Sequence, residues 1–98
     1  MINLKAKPFC LNDEQLHWVK QTLERMSVDE KIGQLFTLLK AVPGVDEGML
    51  SHMVNRYHFG GFRWQNQNAE GAYTQNALVQ KLSKVPVLVA ANCDEGGN

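Results

Sequence analysis

The sequence lacks most of the features by which a function is read at sight. It has no surplus of charge of either sign, since ten Lys and Arg balance ten Asp and Glu, so nothing in it asks for a polyanionic partner. No Lys/Arg-rich block and no interleaving of basic with aromatic residues argues for nucleic acid. The longest apolar run, Val85 to Ala91, falls far short of the roughly 20 residues that a membrane span needs. The first residues, "MINLKAKPFCLNDEQ", contain no continuous apolar stretch of the kind a signal peptide carries. A soluble, cytoplasmic protein is therefore expected, with neither nucleic acid nor membrane as partner.

Cysteine is scarce as well. Cys10 and Cys93 are the two present, far apart, with no C-x-x-C and no third ligand near either. Free thiols of a reducing compartment are the expected state, with a disulfide between them as the alternative. Three histidines, His17, His52 and His58, are scattered without metal-ligand spacing, so neither metal nor cofactor is expected. G-x-G-x-x-G, the P-loop and G-x-S-x-G are all absent, which ranks nucleotide enzymes and α/β-hydrolases last. There are no internal repeats and no low-complexity segments.

What is present is a chain of 98 residues with a 44% hydrophobic share, ordinary for one small globular domain and too high for disorder. In "LNDEQLHWVKQTLERM" the apolar residues Leu16, Val19, Leu23 and Met26 recur at steps of three and four. That spacing predicts a helix capped by Asn12 or Asp13, with Glu14 near the positive end of its dipole. Ser27 and Glu30 stand in the S-x-x-E relation of a capping box. A second helix is expected from Ser27 through "SVDEKIGQLFTLLK", facing inward with Ile32, Leu35, Phe36 and Leu39, before Pro43 and Gly44 break it. "DEGMLSHMVNRYH" predicts a third helix with Met49, Met53 and Tyr57 on its buried side, although Gly48 weakens it by roughly 1 kcal/mol against alanine. The methionine stripe is read as core filling.

"FGGFRW" reads as a short strand entered through a glycine pair. "NAEGAYTQNALVQKLSKV" predicts a helix capped by Asn68, with Tyr73, Ala77, Leu78 and Leu82 buried. "PVLVAAN" is apolar without alternation, the mark of a strand in a parallel sheet covered by helices. From Gly60 onward the order is strand, helix, strand, a βαβ unit whose crossover is expected to be right-handed. In such folds ligands bind at the carboxyl ends of the strands. Two loops sit there: "RWQNQN", beginning at Arg63, and "NCDEGG", beginning at Asn92. Asp94 and Glu95 are adjacent, so on an extended backbone they cannot both point into one site. One carboxylate there could bind substrate hydroxyls, bind a metal or act as acid or base, and an acidic strand-to-helix turn without chemistry remains the plain alternative.

Three segments in order carry a family resemblance: "MSVDEKIGQLF" (Met26 to Phe36), "FGGFRW" (Phe59 to Trp64) and "VPVLVAANCDEGGN" (Val85 to Asn98). Together they resemble the N-terminal third of glycoside hydrolase family 3, β-N-acetylhexosaminidase branch, where M-T-x-E-E-K-I-G-Q-L-F, G-G-V-I-L-F and K-I-P-L-L-I-A-x-D-x-E-G-G occur with similar gaps. The resemblance spans residues 26 to 98. It implies an α/β fold, the N-terminal part of a (β/α)8 TIM barrel, left incomplete because a barrel takes roughly 250 residues. Residues 1 to 98 would form one partial barrel domain.

The family's usual sugar-binding carboxylate would fall on Cys93. The variant pattern A-N-x-E-x-G-G-N-G fits better, and on it Asp94 is the sugar-binding carboxylate, with Glu95 as its rival and Asn92 and Arg63 as neighbours at the mouth. Asn98 stands where many members have arginine. The K-H-F-P-G-H-G-D segment that supplies the acid/base, and the later aspartate nucleophile, are absent from this sequence, so no catalytic residue is assigned. The resemblance implies a fragment of a retaining exo-glycosidase acting on terminal β-linked sugars, inactive alone, with a carbohydrate as substrate. A fragment with so few parallel strands would leave sheet edges and inner helix faces uncovered, so self-association is expected. The alternative is a self-contained small α/β module that binds a ligand or partner without catalysis.

Overall fold

The computed structural model describes residues 2–40, 46–64 and 68–91. Helix α1 runs Asp13–Arg25 and α2 Val28–Gly33; strand β1 is Thr37–Lys40; α3 is Glu47–Tyr57, β2 Gly61–Trp64, α4 Ala69–Leu82 and β3 Leu88–Ala91. The caps explain where the helices begin. Asn12 accepts from the Gln15 N–H at 2.8 Å while the Gln15 side chain accepts from the Asn12 N–H at 2.9 Å. Ser27 and Glu30 close the same reciprocal pair at 3.1 and 2.8 Å. Asp46 and Asn68 cap α3 and α4 through the Met49 and Gly71 N–H groups. Each cap stabilises its helix by about 1 kcal/mol.

The strands form a parallel sheet in the order β1-β2-β3. Thr37, Gly61 and Leu88 share one rung, and Lys40, Trp64 and Ala91 the last. Helices α3 and α4 pack on each other, and side chains alternate across the pleat. Leu38, Phe62 and Trp64 therefore face one side, where they meet Leu50 and Val54 of α3, Val79 of α4, and Phe59 and Val87. The Phe59 and Phe62 rings stack at 6.1 Å. Burying Phe62 completely contributes about 1.5–3 kcal/mol. The opposite face carries Thr37, Leu39, Gly61, Arg63, Leu88 and Ala90, and there Leu39 is 50% and Leu88 80% exposed. Among the described residues, nothing covers that face.

The second helix is shorter than expected. It stops at Gly33, and "TLLK" pairs with β2 instead of continuing the helix. Leu and Lys are good helix formers, but four residues of ladder pairing outweigh local propensity. Ile32, Leu35, Phe36 and Leu39 do not form a buried helical face: all four are at least half exposed. Helix α3 has the expected extent but buries Leu50 and Val54, with Met53 half-buried at the edge of the core, while Met49 and Tyr57 lie outward. In α4 the fully buried positions are Gln75 and Val79; Leu78 and Leu82 pack at the margin as expected, whereas Tyr73 is 77% exposed. The parallel βαβ order from β2 to β3 is as read from the sequence. β3, expected to be covered on both faces, is a largely exposed edge strand within the described residues.

The glycine pair at the entry to β2 has a steric cause. A Cβ on Gly61 would come within 2.3 Å of Thr37 Oγ1, and one on Gly60 within 2.3 Å of the Gln34 carbonyl oxygen. Only glycine lets β2 lie this close to the end of α2 and to β1.

Candidate functional site

The last described rung of the sheet, Lys40, Trp64 and Ala91, lies toward the carboxyl ends of its strands, where parallel α/β folds keep their ligand sites. Arg63 stands one rung earlier, flanked by Leu39 of β1 and Ala90 of β3. Its position in the pleat turns it away from Phe62 and the α3/α4 layer, onto the open face. It is half-buried and engaged in an interaction. A guanidinium here is always charged and offers five donors in a planar fork, suited to oxygen-rich ligands.

Of the four residues the sequence points to, Arg63 is the one that the structure describes. Asn92, Asp94 and Glu95 lie outside the described residues, directly beyond Ala91, as does Cys93. Cys10 is an exposed free thiol. His17 and His52 are exposed, and His58 caps α3 in the left-handed region at φ 50°. Among the described residues, no group of three or more His, Cys, Asp and Glu is arranged to hold a metal ion, and no helix is long and apolar enough to cross a membrane.

Displaced acidities lie elsewhere. A hydrogen bond from Lys84, then the bond from the Ser27 N–H, hold the Glu30 carboxyl at about 2. Asp13 is lowered by its hydrogen bond and ion pair with Lys5. Both belong to the helical end of the chain and secure caps and connections.

Sequence reasoning missed several buried polar side-chain atoms. Gln75 is fully buried, yet neither its amide nitrogen nor its carbonyl oxygen has a partner among the described residues. The indole N–H of Trp64 and the side-chain oxygen of Asn76 are likewise buried and unpaired. Gln75 shares a helical stripe with Val79, a position that pattern alone reads as apolar. No periodicity would have revealed it.

Away from Arg63 there is a groove of about 380 Å³ between α1, the end of α3 and the connection from α4 to β3. Gln34, Phe59 and Val85 in its wall each precede a strand, which sets the groove at the amino edge of the sheet, away from the rung that ends in Trp64.

No family model matches the chain. A β-N-acetylglucosaminidase/β-glucosidase of Cellulomonas fimi is 36% identical over 98 residues, all of this chain and 17% of that protein. Among solved structures, the β-glucoside phosphorylase BglX bound to 2FGlc matches with a TM-score of 0.82 and 34% identity, over 97% of this chain and 17% of that one. The chain thus spans about a sixth of the length of the relatives it matches. The family resemblance read from the three motifs holds: this chain is homologous to a stretch of the β-N-acetylglucosaminidase/β-glucosidase and β-glucoside phosphorylase enzymes of glycoside hydrolase family 3.

Proposed function

We propose that residues 1–98 form the opening strands of a (β/α)8 barrel in a cytosolic exo-glycosidase that releases a terminal β-linked N-acetylglucosamine or glucose. The supporting observation is the identity to a β-N-acetylglucosaminidase/β-glucosidase along the whole of this chain, joined to a three-stranded parallel sheet in the order β1-β2-β3. In this reading Asp94 accepts hydrogen bonds from ring hydroxyls, because an ionised carboxylate is acceptor-only and can serve two hydroxyls at once. Arg63 and Asn92 border the same mouth, with Glu95 beside them.

Cleavage with retention requires a nucleophile and an acid/base across the glycosidic bond, about 5 Å apart when both are carboxylates. The motif that carries the family's acid/base is absent from this sequence, so both groups would come from further polypeptide. The chain binds and orients; it does not cut. Because BglX is a phosphorylase, the group that resolves the glycosyl intermediate is either water or phosphate.

The purified 98-residue chain is expected to leave aryl β-glucosides and aryl β-N-acetylglucosaminides intact, with or without phosphate, and any turnover abolished by Asp94→Asn would sink the proposal. In an enzyme completed by the remaining barrel, Asp94→Asn is expected to lower kcat/KM by about 10- to 100-fold, the loss of one charged hydrogen bond to substrate. Unchanged kinetics would remove Asp94 from the sugar site.

A further inference from the structure

The groove at the amino edge of the sheet lies apart from Arg63, the described residue of the mouth proposed above, which is not among the residues that line it. Its volume falls in the range of small-molecule sites, roughly 300–1,000 Å³. Two kinds of recognition meet there. Trp18 of α1 is in its wall and 52% exposed, leaving half its surface to receive a ring. Arg25, seven residues on and therefore on nearly the same helical face about 10 Å away, lines the groove and has no ion-pair partner among the described residues.

The charge balance favours an anion. Among the described residues Glu30 is the one carboxylate in the wall, and both its oxygens are committed, to Lys84 Nζ at 2.5 Å and to the Ser27 N–H at 2.8 Å. Lys84 spends one of its three donors on that pair and remains 81% exposed along its side chain. Arg25 and Lys84 can therefore share a phosphate, for which guanidinium and ammonium are the natural partners. Asn55, also in the wall, has a carboxamide oxygen to offer a hydroxyl. An indole offers a broad apolar face against which the C–H side of a pyranose ring can be buried.

We propose that this groove is a second ligand site, for a monosaccharide carrying one phosphate: the ring on Trp18, the phosphate between Arg25 and Lys84. The proposal is independent of the catalytic reading, because its residues lie at the other edge of the sheet. The test is calorimetric titration of the 98-residue chain with glucose 6-phosphate, glucose and inorganic phosphate in parallel. Glucose 6-phosphate is expected to saturate one site at least about tenfold more tightly than either component, the increment of one charge-assisted contact added to ring burial.

Arg25→Gln, a change on the exposed surface of the last turn of α1, is expected to reduce binding to that of glucose, and Arg25→Lys to restore part of it. Trp18→Phe is expected to retain binding better than Trp18→Ala, with circular dichroism reporting that both variants fold. Equal affinity for phosphate and glucose 6-phosphate, binding unaffected by Arg25→Gln, or no saturation with glucose 6-phosphate would each overturn the proposal. So would loss of binding in Arg63→Gln, since it would locate the sugar at the strand ends.

Discussion

Replacing Gly33 by alanine would set a methyl carbon 2.2 Å from the Tyr57 carbonyl oxygen and 2.7 Å from that of His58. Neither obstacle can rotate away. Both belong to the end of α3, which is tied to the Gly33 segment by the bond from the Gln34 side chain to the His58 carbonyl at 2.7 Å and by the Gly60 N–H reaching the Gly33 carbonyl at 3.3 Å. Overpacking costs about 1–3 kcal/mol, and rigid backbone calls for the upper end. Alanine in a helix returns at most about 1 kcal/mol over glycine. The difference, about 2 kcal/mol of destabilisation, corresponds to a fall in Tm of about 8–16 °C for a domain of this size. Gly48 of α3 provides the control, since its nearest obstacle is Asp46 Oδ1 at 3.4 Å, an ordinary contact. Gly48→Ala is expected to raise Tm by about 4–8 °C through propensity alone. Thermal melts followed by circular dichroism read both. If the two substitutions shift Tm in the same direction, the close approach of α2 to α3 is not what selects glycine at position 33.

Three further outcomes are expected. Gln75→Leu should raise Tm, because it removes a buried carboxamide with no partner among the described residues, a burden of about 1–3 kcal/mol; a lower Tm would mean the amide is bonded. The stabilisation from Glu30, whose carboxyl is lowered from 4.5 to about 2 by Lys84 and Ser27, is complete above pH 4.5 and lost as pH falls toward about 2. Glu30→Gln should therefore flatten the Tm profile in that window, and parallel profiles for the two proteins would refute the assignment. With Leu35 84% and Leu88 80% exposed, and β1 and β3 each paired on one side among the described residues, light scattering should show a mass that grows with concentration. A constant monomeric mass would count against this.

The parts of the fold that could be read from the residues were those with a chemical start signal or a long period. Asn12, Ser27 and Asn68 each announced a helix because a short side-chain oxygen there has one job to do. The parallel pairing of β2 with β3 could be read because an apolar run without alternation suits a parallel sheet. What escaped was decided by tertiary contact. "TLLK" is too short to display a period, and it becomes a strand only because β2 lies alongside it. The buried faces of α3 and α4 were misjudged because large residues, Met49, Tyr57 and Tyr73, were assumed to face inward. The sheet instead accepts the smaller Leu50, Val54 and Val79, and Gln75 with them. At the candidate site, Arg63 could be picked out from its place near a strand end, whereas Asp94, proposed from its family pattern, lies outside the described residues. The groove near Trp18 could not, because it is assembled from helices that are distant in sequence.

The crowded entry to β2 has a consequence for how this scaffold can vary. A side chain at Gly60 or Gly61 fits only if the Gln34 backbone or Thr37 draws back, and β1 is tied to β2 by four paired residues. Sequence change at these two positions therefore calls for a matching shift in the neighbouring segment, so the pair and its surroundings drift together or stay as they are.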